Sequence, residues 1–179
     1  MIAAVLMTAA ISLIELIARR VIPSRARALL VAYLLVASCA LLVVVPRGES
    51  ELTLAAPIGA LLAAVGYPAG RALLRDPARP PSRDPVGLDL VAFAFVALSE
   101  ELSWGAVVEP SLSSPVTATL FALKHPLIDG RWRRVLGLGL FWLGLSLLRA
   151  QSALLAALLH VLLNTVAVVA GRLRGSDPF

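Results

Sequence analysis

The chain has 179 residues, of which 59% are hydrophobic and 15% charged, with a formal charge of +5 and a mean hydropathy of +0.89. A soluble domain carries about 25% charged and 45–50% apolar residues, so an ordinary soluble fold is excluded and an all-α, polytopic transmembrane helix bundle is predicted. The positive charge is arginine apart from Lys124. It sits in short clusters without interleaved aromatics, which fits membrane topology and not nucleic-acid binding.

Residues 1–18 read as helix 1, apolar apart from Glu15 and a few hydroxyls, and are followed by Arg19 and Arg20. The segment lacks a charged n-region and reads as a retained, targeting helix. Glu15 is expected to be snorkelling or paired near the helix end. Residues 19–27 form a loop with four arginines around Pro23, and residues 28–45 form helix 2, eighteen residues without a charge. Cys39, the only cysteine, rules out a disulfide framework.

A turn is predicted over 46–51 and helix 3 over 52–74, kinked at Pro57 and Pro68, as membrane helices allow when neighbours satisfy the freed carbonyls. A polar linker rich in Pro, Arg and Asp follows, and helix 4 covers 88–108. Glu109-Pro110-Ser111 reads as a turn. Ser114-Pro115 then caps helix 5, which is interrupted at His125-Pro126 before a loop at Asp129-Gly130-Arg131. Helix 6, over 135–148, contains Gly137, Gly139 and Gly144, which favour close helix approach. Helix 7 covers 152–170. The organisation is therefore an N-terminal helix group (1–74), expected to be peripheral, a linker (75–87), a functional half (88–171) and a polar tail (172–179).

Seven spans place thirteen arginines in the loops of one side and only Arg47 and Arg149 on the other. By the positive-inside rule the N-terminus lies outside and the C-terminus in the cytoplasm.

Glu100 and Glu101 stand adjacent inside the apolar run of helix 4. A charge at mid-membrane depth costs at least about 2.5–3.5 kcal/mol, so two in a row imply chemistry. The other polar groups able to join them are His125, His160 and Asn164. Helix rise puts Glu100, His125 and His160 about 12–15 Å below the outer ends of their helices. His160 and Asn164, at i and i+4, share one face. Phe121 and His125 have the same spacing, with Phe121 read as packing.

A pocket holding these groups suits amide hydrolysis. A buried carboxylate with a raised pKa serves as general base toward water, a histidine holds the water, and imidazole and carboxamide N–H groups stabilise the oxyanion. No serine has a matched His/Asp set.

The ordered set Glu100-Glu101, Phe121-x-x-x-His125 and His160-x-x-x-Asn164 resembles the CPBP family of intramembrane proteases, also called CAAX-processing and abortive-infection proteins. The run Phe141-x-x-Gly144-x-x-x-x-Arg149-x-x-Ser152 is similar as well. The resemblance covers residues 88–170. It implies that Glu100 activates water with help from His125, that His160 and Asn164 form the oxyanion site, and that Glu101 supports the pair. The substrate would be a membrane-anchored protein or peptide, and the location the bacterial inner membrane.

The family's first motif ends in an arginine where this chain has Gly105. Either another basic group such as Arg149 substitutes, or the electrostatic balance differs, or activity is reduced. The short chain and the outward-facing site depth look similar to the myxosortase-like members. No cofactor is expected; Glu plus two His leave zinc as the alternative. The competing non-enzyme reading is a membrane scaffold or immunity-type protein that keeps the polar cluster for stability or partner binding.

Overall fold

The computed structural model describes residues 2–43 and 53–177. The turn expected over 46–51, with the adjoining ends of helices 2 and 3, lies outside the described residues.

Among the described residues the chain is helical apart from connections and an isolated bridge between Arg79 and Asp177. The helices are α1 (Ile2–Val21), α2 (Arg25–Leu41), α3 (Ala55–Leu73), α4 (Val86–Leu112), α5 (Ser114–Asp129), α6 (Val135–Arg149) and α7 (Ala153–Leu173). Two of them, α4 and α7, are long and apolar enough to cross a membrane. Helices α2, α5 and α6, at 17, 16 and 15 residues, fall short of the ~20 that cross a bilayer upright. The outward faces are nonetheless apolar: Leu158, Leu162 and Val166 on α7 and Ile58, Leu61 and Val65 on α3 are all exposed.

Three local readings differ from expectation. Glu109-Pro110 does not turn the chain; α4 runs on to Leu112. A proline ring collides with the carbonyl four residues back in an α-helix, but α4 is wound as a π-helix over Glu101–Val108, and its i→i+5 register takes that carbonyl out of the α position. Nor does His125-Pro126 interrupt α5, which continues to Asp129 and stops at the left-handed Gly130 (φ 74°). The cap of α5 is shifted by one residue: Ser113 holds the cap position without a side-chain bond, and the Ser114 hydroxyl donates to Glu109 Oε1 at 2.9 Å.

The closest helix contact is α3 against α6, made by glycines facing each other. A Cβ on Gly59 would lie 2.7 Å from the Gly144 carbonyl oxygen, and one on Gly70 would collide with Gly137. We expect Gly144→Ala to push these helices apart and cost about 1–3 kcal/mol of stability, read as a lower melting temperature of the purified chain.

One end of the bundle is tied together by arginine. Arg25 pairs with Asp177, Arg131 with Asp76, and Arg172 with Asp89, while Arg79 donates to the Asp129 carbonyl. The loops expected on the arginine-rich side thus meet at a common end.

Candidate functional site

Glu100 is 4% exposed. Its Oε1 accepts from Lys124 Nζ at 2.5 Å and lies 2.8 Å from the Tyr33 hydroxyl. Tyr33 is also 2.9 Å from Glu15 Oε2 and accepts from Lys124 at 2.7 Å. A phenol has a single proton, so Tyr33 donates to one of its two carboxylates at a time, while the Lys124 ammonium balances the pair. Glu15 is held from its other side by Arg19, 2.5 Å from Oε1. Helices α1 and α2 therefore supply part of the site and are not a peripheral group.

Glu101 faces the opposite way. Arg149 Nε donates to its Oε2 at 2.8 Å, and His160 Nδ1 lies 2.9 Å from its Oε1. Arg149 also reaches Glu109 Oε2 at 2.5 Å, where Ser146 and Trp142 donate too. Arg149 lies across Gly105, with its guanidinium carbon 2.8 Å from where a Cβ would stand. Glycine at 105 makes room for an arginine delivered from α6. We expect Gly105→Ala to displace Arg149 from Glu101 and cost about 1–3 kcal/mol. In an Arg149→Ala background the same change costs far less, a contrast that chemical denaturation of the four variants measures.

His160 is the bridge between the two carboxylates. Its Nδ1 proton goes to Glu101, while Nε2 faces Glu100 Oε2 at 3.7 Å, beyond hydrogen-bond range. Nε2 donates to a third group only when the ring carries both protons. Phe141 packs edge-on against this ring at 4.9 Å. His125 donates Nδ1–H to the Phe121 carbonyl at 2.8 Å, because a carbonyl only accepts; its Nε2 is therefore the basic nitrogen. Asn164, one helical turn after His160 on α7, donates to the Phe93 carbonyl at 3.1 Å.

A cavity of about 600 Å³ has Glu100, His125 and Asn164 in its wall, together with Glu15 and Tyr33. His160 stands behind Glu100, and Glu101 belongs to the ion-pair cluster with Arg149. The cavity runs toward the arginine-rich end, where Arg19, Arg71, Arg134 and Arg174 line it; Glu109 and Arg149, at the other end, do not. The expectation of outward-facing access came from helix depth. Depth along a helix gives a distance from its ends but not the side on which neighbouring helices leave a gap.

Sequence reasoning missed Lys124 and Tyr33 as partners of Glu100 and left Glu15 at a helix end. The one cue was that Lys124 is the sole lysine and lies inside an apolar helix. Among the described residues no three His, Cys, Asp or Glu side chains are grouped as a metal ligand set. Phe121, Trp104 and Trp142 are fully buried packing groups, whereas Trp132 is exposed.

No protein-family model matches the chain, and no curated protein or solved structure is significantly similar to it.

Proposed function

We propose that the chain is an integral membrane endopeptidase of the CPBP type, a bundle of seven spans with its C-terminus in the cytoplasm, that hydrolyses a peptide bond of a membrane-anchored substrate. The observation that carries this is the shared cavity, into which Glu100, His125 and Asn164 all project from three different helices. Glu100 would take a proton from water through Oε2, the oxygen that Lys124 and Tyr33 leave open. The free Nε2 of His125 would hold that water. Asn164, with one amide proton on Phe93 and a second to give, would donate to the oxyanion, and His160, behind Glu100, would join it if substrate binding opens the cavity to its Nε2. Lys124 orients Glu100, and Arg149 does the same for Glu101.

A second reading is favoured by the same Lys124 contact. A carboxylate already neutralised by an internal ammonium at 2.5 Å fits a structural core, and with it a non-catalytic scaffold. The two separate in cells. Under the protease reading, membranes of a strain carrying Glu100→Gln accumulate an uncut substrate seen in a deletion strain and absent from wild type. A scaffold leaves the Gln strain indistinguishable from wild type.

A further inference from the structure

The mouth of the cavity carries a charge pattern that peptide hydrolysis does not use. Arg19, Arg25 and Arg134 reach it from α1, from α2 and from the turn before α6. Both Arg19 and Arg134 stand close enough to repel Arg25. Each is paired through a terminal nitrogen, with Glu15, Asp177 and Asp129 respectively, yet the Nε–H of all three is buried without an acceptor. Three guanidiniums lining one cavity offer charge-assisted hydrogen bonds to an anion with several acceptor oxygens.

Behind this rim one flank of the cavity is apolar and lies between α3 and α7. Ala63, Ala64 and Tyr67 form one wall, and Leu163, Val166 and Ala167 the other. The two helices scarcely touch each other, because α3 is clamped to α6. The outer faces of both are apolar. A phosphate at the rim would leave an attached acyl chain in position to lie along the cleft.

The tail already offers an anion to this rim. Asp177 pairs with Arg25 and is held there by its backbone N–H, which donates to the Arg79 carbonyl at 2.8 Å. We infer that Arg19, Arg25 and Arg134 form a phosphate site for an anionic phospholipid whose chain occupies the α3–α7 cleft, and that the Asp177 carboxylate competes for it. The site does not depend on the chain being a protease.

The test is ligand-dependent stabilisation of the full chain in detergent, since a ligand that binds only the folded state raises its melting temperature in a saturable way. Short-chain phosphatidylglycerol is compared with short-chain phosphatidylcholine, glycerol phosphate and inorganic phosphate. Phosphatidylglycerol alone is expected to give a saturable shift, with at least tenfold weaker binding for Arg25→Gln and several-fold tighter binding for Asp177→Asn. Ala167→Trp, which fills the cleft and leaves the rim intact, should weaken the lipid tenfold or more. Because Asp177→Asn predicts a gain, a misfolded arginine variant cannot imitate success. Equal shifts from inorganic phosphate and the lipid, equal shifts from both lipids, or an Asp177→Asn chain that binds no more tightly would each overturn the proposal. Peptidase activity is not measured, so the result stands or falls separately from the protease reading.

Discussion

Glu100→Gln is expected to lower peptide hydrolysis by about 100- to 10,000-fold, the usual contribution of a positioned general base, with a smaller loss of stability than Lys124→Met because Glu15 still faces the ammonium at 3.7 Å. Glutamine keeps the shape of the side chain and an oxygen that can still accept from Lys124 and Tyr33, both of which contact Oε1 in the wild type. What it loses is the basicity of Oε2, the oxygen that neither Lys124 nor Tyr33 contacts. Purified chain, a membrane-anchored peptide and a melting curve measured together separate loss of chemistry from loss of structure. Equal turnover by the Gln variant would remove Glu100 from the mechanism.

Lys124→Met carries the largest expected effect on stability. Lys124 is 2% exposed, and its ammonium stands between Glu100 and, at 3.7 Å, Glu15. Removing one partner of a buried pair leaves an uncompensated charge and costs about 3–5 kcal/mol, whereas replacing both partners with apolar or neutral groups is often close to neutral. The Lys124→Met, Glu100→Gln double variant should therefore recover most of the loss, a coupling that a double-mutant cycle reads directly. Recovery also distinguishes an electrostatic role from packing, because Lys124 lies over the rings of Tyr33, Trp104 and Phe121 at 5.2–5.6 Å, contacts that methionine largely preserves.

The helices were legible because each coincides with an apolar run broken by Pro, Gly or Arg. His160 and Asn164 were legible because a four-residue spacing fixes one face. The partners of Glu100 were not. Glu15 and Tyr33 come from α1 and α2, and no periodicity within one helix says which face of another it will meet. The π-wound stretch Glu101–Val108 was also hidden. Arg149 lies across Gly105 within it, a tertiary contact that no local residue preference announces. The same winding explains why Pro110, read as a helix breaker, sits inside α4. The direction of the cavity could not be read at all, since it follows from α3 choosing the glycine face of α6 over α7.

Gly105 illustrates a different limit. The resemblance noted in the sequence expects an arginine at this position, and Arg149 was one of three ways to meet its absence. Choosing among them required knowing that α6 ends beside the π-wound segment, so that its last-turn arginine lies across Gly105.

The account rests on one water and one peptide carbonyl being handled by Glu100, His125, His160 and Asn164 together. A structure of the Glu100→Gln chain with an uncleaved substrate trapped in it tests this most directly. The protease reading predicts the scissile carbonyl inside the 600 Å³ cavity, its oxygen toward Asn164, and its carbon about 3–3.5 Å from the attacking water position between residue 100 and His125. A substrate bound elsewhere on the bundle, or lying in the cavity with its backbone out of reach of residue 100, would contradict it.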